Sequence, residues 1–330
     1  MGKTFDSFDQ AQVVITGGCG FIGSHLAREL VHLGAEVTLV DSLIPEYGGN
    51  LRNIADIRDR VEVNFSDVRD PYSLRFLIQG KDYLFNLAGQ TSHLDSMTDP
   101  FTDLAINAQA QLSILETCRK CNPSVKAVFA STRQLYGKPQ YLPVDENHPT
   151  NPVDVNGVNK LAGEGYHLLY NEVYGVRSSV LRLTNTFGPG MRVRDARQTF
   201  VGVWIRNLLE SKPIEVWGGN QLRDFNYVTD VVDALLRCAT SSDAYGKVFN
   251  LGGDPAISLA DLAQLMTAIA PGALIEMKEF PTERKKIDIG DYYSDYALIT
   301  RTLGWKPQVS LEKGLRETID YYRTNLQHYI

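Results

Sequence analysis

Cysteine is scarce in this chain, four residues in 330, and that scarcity excludes a disulfide-stapled scaffold. Cys19 sits among glycines, where a small side chain is needed. Cys118 and Cys121 form a C-x-x-C with neither a second pair nor a neighbouring histidine to complete a zinc set. No metal is expected, and the thiols read as those of a reduced, cytoplasmic protein. Long apolar runs are missing too: none would span a bilayer, and the first residues lack the charged-then-apolar layout of a signal peptide, so no membrane partner is expected. Positive charge is not in excess. With 33 Lys and Arg against 39 Asp and Glu, the formal net charge is −6, which offers a nucleic acid no broad basic surface. Internal repeats and low-complexity tracts are also lacking. What is present is an ordinary globular composition, 43% hydrophobic and 22% charged. The length allows two lobes, or one large α/β domain with a smaller cap.

One stretch near the start organises the rest. Val13 to Thr16 is a β-branched run that reads as a buried parallel strand. It breaks into Gly17, Gly20 and Gly23, spaced G-x-x-G-x-x-G, and an apolar repeat of helical period begins at Phe21 and Ile22. Glycines let the turn adopt conformations closed to other residues and let a phosphate approach the backbone. The helix start then offers free N–H groups and a positive dipole end. A second strand, Glu36 to Val40, ends in Asp41 about 20 residues on, the spacing at which an acid meets the ribose hydroxyls of a bound dinucleotide. That acid would repel a 2′-phosphate, so NAD is expected rather than NADP.

Further strands are predicted over 61–65, 83–89, 126–131, 177–183 and 247–251, with helices over 101–120 and 157–174. Strands alternating with helices indicate a doubly wound parallel sheet of Rossmann type, with ligands outside the carboxyl ends of its strands. Gly17, Asp41, Asp67, Ala88 and Ser131 all fall there. Asp67 could accept from an adenine amino group; Asp70 is equally placed to cap the next helix. The expected cofactor contacts are therefore Gly17, Gly20, Phe21, Ile22, Gly23 and Asp41, then Asp67 and Val68, then Leu87, Ala88 and Gly89. The helix over 157–174 carries Val158, Leu161, Ala162, Tyr166, Leu169 and Val173 on one face. Residues 1–187 read as the dinucleotide-binding domain. Beyond Gly188 turn residues multiply, and residues 188–330 read as a smaller α/β substrate-binding part with returns to the main sheet at about 225–255.

Several motifs in order resemble the extended short-chain dehydrogenase/reductase family, specifically its nucleotide-sugar epimerases and dehydratases. They are Thr16 to Leu26, Asn86-Leu87-Ala88-Gly89, Asn107, Ser131-Thr132 with Tyr136-Gly137, and Lys160 to Glu164, followed by Arg182 to Pro189, Arg223 to Val232, Leu303 to Pro307 and Leu311 to Leu315. The resemblance implies NAD as cofactor and a nucleoside diphosphate sugar as substrate. A hydride would pass transiently from a sugar carbon, C4 by resemblance. It also implies a homodimer packed through the helices over 103–120 and 157–174.

In that family a Ser or Thr orients the sugar hydroxyl, a Tyr removes its proton, and a Lys four residues later lowers the Tyr pKa and holds the ribose. Thr132 and Lys160 match, but the Tyr position is Asn156. An amide has no proton to exchange in the useful range, so Asn156 can orient but not act as a base. His93, Asp154, Tyr136 and Lys160 itself are the candidates to replace it. The Asp-Glu pair that family 4,6-dehydratases use is Arg133-Gln134 here, which argues against that elimination. On the substrate side the resemblance points to Gln90, Asn185, Gln198, Phe200, Arg223 and Arg284, with Arg192, Arg194 and Arg197 clustered nearby. Two other readings stay open: a protein that binds NAD and a nucleotide sugar without turnover, or a different redox-assisted dehydration or decarboxylation.

Overall fold

A computed structural model describes residues 5–330, apart from Gly48, Gln198 and residues 283–286. The amino-terminal part builds β1 (Gln12–Thr16), α1 (Phe21–His32), β2 (Glu36–Val40), β3 (Val61–Asn64), α2 (Pro71–Ile78) and β4 (Tyr83–Asn86). It continues with α3 (His93–Thr98), α4 (Pro100–Leu104), α5 (Ala110–Cys121), β5 (Lys126–Thr132), α6 (Val155–Tyr174) and β6 (Arg177–Leu183). A seventh strand of the same sheet comes later in the chain, at Val248–Asn250. All seven are parallel, in the order β3-β2-β1-β4-β5-β6 and then Val248–Asn250. The expected doubly wound sheet is thus the observed one.

Successive residues of a strand point to opposite faces, and here both faces are covered. Val13 and Ile15 pack with Leu26, Leu30, Phe85 and Leu235 on one side of the sheet. Val14 packs with Leu84, Ile114, Leu115 and Tyr170 on the other. From Asn185 on the chain forms short strand pairs: Asn185–Phe187 with Phe225–Tyr227, Leu222–Arg223 with Ile257–Ser258, and Ile214–Trp217 with Ile275–Lys278. These close over a separate apolar cluster that includes Trp204, Leu262, Leu315 and Tyr322.

One helix differs from expectation, and a second turns its polar side to the core. The predicted continuous helix over 101–120 is α4 and α5 joined by a π-helical turn, Ala105–Gln109, which turns Asn107 inward. Such turns recur at functional sites. In α6 the apolar stripe faces outward: Val158, Leu169 and Val173 are exposed. Its buried face carries Asn156, Asn159, Lys160, Glu164 and His167 instead.

The carboxyl-terminal segment returns to the beginning of the chain. Asn53 is its contact: Tyr329 Oη donates to Asn53 Oδ1 at 2.8 Å, and Asn53 Nδ2 donates to the Cys19 carbonyl at 3.1 Å. Asn50 Nδ2 donates to the His328 carbonyl at 3.0 Å, and Arg52 Nη2 to Asn325 Oδ1 at 2.9 Å.

Candidate active site

A cleft runs along the carboxyl ends of the sheet strands. It is lined at one end by Gly17, Gly20, Phe21, Ile22, Gly23, Asp41, Asp67 and Val68, and at the other by Thr132, Arg133, Asn156, Lys160 and Asn185. Leu87, Ala88, Gly89, Gln90 and His93 line it between these ends.

At the first end the glycines are used for shape. Gly17 has φ +69°, and a side chain there would press on the Leu87–Ala88 backbone. A Cβ on Gly23 would collide with the Gly17 carbonyl, so Gly23 is what lets α1 start against the strand. Gly20 caps α1 with no side-chain hydrogen bond, leaving the N–H groups of the first turn for an anion. Asp41 holds the loop in place: its carboxylate accepts from Cys19 N at 3.0 Å and Leu43 N at 2.9 Å. Burial raises its pKa, and those two N–H groups oppose the rise. Asp67 is clasped by Arg69, whose guanidinium holds its carboxyl below the usual range, and Asp70 caps α2 by accepting from Tyr72 N. A helix start without a cap, glycines where a Cβ would obstruct and an acid at the second strand's end together fit NAD.

At the other end the structure brings together residues from five elements. Thr132 ends β5, and its hydroxyl accepts from Gln134 N at 3.2 Å. Lys160 projects from α6, donating from Nζ to the Ala130 carbonyl at 3.0 Å and lying 4.8 Å above the Phe129 ring. Burial pulls its ammonium down to about 8, with Asp103 opposing that fall. Asn156 commits one amide hydrogen to the Gln90 carbonyl at 2.7 Å and the other to Asp103 Oδ2 at 3.0 Å. Asn107 does the same, at 2.9 and 3.1 Å, and Asn159 Nδ2 reaches Asp103 Oδ1 at 2.8 Å. Asp103 is fully buried and binds three side-chain amides from two helices. Sequence reasoning missed it; its signal was an acid on the inward face, four residues before Asn107.

His93 opens α3, and its Nδ1 lies 3.0 Å from Asp154 Oδ2. Asp154 caps α6 through Gly157 N at 2.7 Å and accepts from Gln134 Nε2 at 2.9 Å. Burial pushes the Asp154 carboxyl up, but His93 and these donors outweigh it and hold the pKa below the ordinary value. His93 is about one-third exposed, towards the cleft, while Asp154 is shut away behind it.

The remaining expected residues divide. Asn185 lines the cleft, accepting from Arg133 Nη2 at 2.9 Å and donating to the Asp224 carbonyl at 3.0 Å. Arg223 is not among the lining residues; it is buried, 3.2 Å from Asp288 Oδ1, and burial lowers its pKa to about 10. Phe200 packs on Trp204 and Phe225 while its neighbour Thr199 meets the cleft. Tyr136 is fully buried, donates to Asn250 Oδ1 at 2.7 Å, and burial pushes its phenol to about 12. Its place is in the packing behind the cleft. Arg192 and Arg197 pair with Asp195, and Arg197 also with Asp95; Arg194 contributes its carbonyl to Arg206. Gln198 and Arg284 lie outside the described residues. Arg133 was noted in the sequence only for what it replaces, yet it lines the cleft.

A model of the NAD dependent epimerase/dehydratase family matches residues 13–252. A putative UDP-glucose 4-epimerase of Methanocaldococcus jannaschii is 32% identical over 328 residues, 95% of this chain and 99% of that protein. UDP-glucuronic acid decarboxylase 1 of Xenopus tropicalis is 31% identical, over 99% of this chain and 75% of its own. Among solved structures, the UDP-glucose 4-epimerase of Thermotoga maritima with UDP-glucose superposes with a TM-score of 0.87 at 29% identity, covering 96% of this chain and 99% of that one. The cleft's dinucleotide cradle and these matches over nearly the whole chain agree: the protein belongs to the NAD-dependent epimerase/dehydratase family and is an enzyme that uses NAD.

Proposed function

We propose that this enzyme epimerises a nucleoside diphosphate sugar at C4, with His93 and Asp154 doing the proton work that Asn156 cannot. The observation that carries this reading is the 3.0 Å contact between His93 Nδ1 and Asp154 Oδ2 in a cleft that also holds Thr132 and Lys160. NAD bound along Gly17–Gly23 and Asp41 would supply the hydride acceptor at the sugar carbon. Thr132 orients the sugar hydroxyl, and His93 takes its proton through Nε2. Asp154 stabilises the imidazolium so formed, as a buried carboxylate behind a histidine does. Lys160 places a cation beside the same hydroxyl, and Asn156 fixes Gln90 at the cleft wall. Asn185, in the cleft wall, would meet the diphosphate end, and residues 188–330 would form the substrate part.

The relatives' named substrates make a uridine diphosphate sugar the first choice of nucleotide. The test is incubation of the purified protein with UDP-glucose, UDP-galactose and UDP-glucuronate, following product sugars and cofactor absorbance near 340 nm. Sugar inversion without net absorbance change is expected. One observation favours a second reading, binding without turnover: both amide hydrogens of Asn156 are tied to the wall, so the usual acid/base position is inert. Sugar-nucleotide binding with no product would establish that reading instead.

We further propose a cytoplasmic homodimer. Phe101 and Leu104 on α4, with Val158, Leu169 and Val173 on α6, are exposed on adjacent helices, as a helix-bundle interface requires.

A further inference from the structure

Arginines buried in and around the cleft are matched with carboxylates, with one exception. Arg182 pairs with Glu164, and Arg223 with Asp288. Arg133 has no carboxylate within ion-pair distance among the described residues. Its neighbour Asp224 is already engaged, accepting from Thr184 Oγ1 and from Ser294 N. The Arg133 guanidinium lies 5.2 Å over the Tyr292 ring and donates from Nη2 to Asn185, and its Nη1 is shut from solvent with no partner among the described residues. A desolvated cation with an unused donor, in the wall of a ligand cleft, is a cost that Asn185 and the Tyr292 ring offset only in part. An anion arriving with the ligand would offset it.

Position decides which anion. Arg133 directly follows Thr132, at the cleft end that holds Lys160 and Asn156, whereas the cofactor's phosphates belong at the α1 start. The planar fork of a guanidinium matches the two oxygens of a carboxylate. We propose that Arg133 reads a carboxylate on the sugar, so that the substrate is a nucleoside diphosphate uronic acid. This rests on the nucleotide-sugar reading above and narrows it.

The test is calorimetric titration of the NAD-loaded protein with UDP, UDP-glucose and UDP-glucuronate, in wild type, Arg133→Met and Arg133→Lys. Methionine keeps apolar bulk and removes an unpaired buried charge, so its melting temperature should not fall. Wild type should prefer UDP-glucuronate over UDP-glucose. Arg133→Met should weaken UDP-glucuronate about 10- to 100-fold, the range for a hydrogen bond to a charged group, and by clearly more than UDP and UDP-glucose, which lose only the tether on Asn185. Arg133→Lys, charged but without the fork, should fall between. Equal weakening of all three ligands by Arg133→Met would assign the arginine to the diphosphate and overturn the carboxylate site alone. A wild type with no preference for the uronate would overturn that site as well. If none of the three binds wild type, the nucleotide-sugar function fails, and this site with it.

Discussion

At position 156 the amide is built into the wall. Its two hydrogens bridge Gln90 and Asp103, the same pair of acceptors that Asn107 bridges from the π-turn. A side chain held this way positions neighbours but exchanges no proton, and in the proposed mechanism that work passes to His93. Replacing His93 by Gln should lower kcat by about 10²- to 10⁴-fold, the usual share of a general base, with KM little changed. Asp154→Asn keeps a good helix cap but removes the charge behind the imidazole, and should lower kcat by less. Steady-state kinetics on both variants is the check; an unchanged kcat in His93→Gln would remove the histidine from proton transfer. Asp154 also makes a pH statement. Its folded pKa is below its unfolded one, so its stabilisation is complete above the ordinary carboxylate value and disappears as the pH falls through the lowered one. The sequence showed that the phenol was missing but left four candidate replacements, because His93 and Asp154 lie about 60 residues apart and only the fold joins them.

Among the elements, α6 carries most of the site. Its apolar stripe was legible as a period, but a period has no sign: it does not say which side faces the core. Here the polar side faces in, because Asp103, Ala130 and Gln90 present acceptors to Asn156, Asn159 and Lys160. The desolvated lysine has a measurable consequence. With its pKa lowered from 10.5 to about 8, it binds a proton less readily folded than unfolded. It therefore destabilises the protein by roughly 3 kcal/mol near pH 7, and the penalty is relieved as pH rises from about 8 towards 10.5. Lys160→Met should melt higher than wild type at pH 7, and the gap should shrink by pH 10. Thermal melts across that range decide it; a constant gap would mean that Lys160 is not desolvated.

For the molecule as a whole, the sheet was largely readable. Five strand ends, with their glycines and acids, placed the site at the carboxyl edge of the sheet from pattern alone. The part after Gly188 was not readable in this way, since strand pairs of two to four residues are set by tertiary contacts rather than by local pattern. Assembly is the property that belongs to this scale. Phe101 is 80% exposed, and Val158 and Val173 are 53% and 57% exposed, on helices that touch each other. Phe101→Glu together with Leu169→Glu should convert a dimer into a folded monomer, read by light scattering with the far-ultraviolet spectrum unchanged; a wild-type monomer would refute the interface.

The ties between Tyr329, His328 and the Asn50–Asn53 stretch bear on how the protein is made. The glycine loop leaves the ribosome well before its brace: Asn53, which grips it at the Cys19 carbonyl, is itself held by the Tyr329 hydroxyl, synthesised 276 residues later. A nascent chain therefore carries its nucleotide cradle unbraced until Tyr329 has been made. The turn at Leu326–His328 does for the cofactor loop what a latch does for a door already hung.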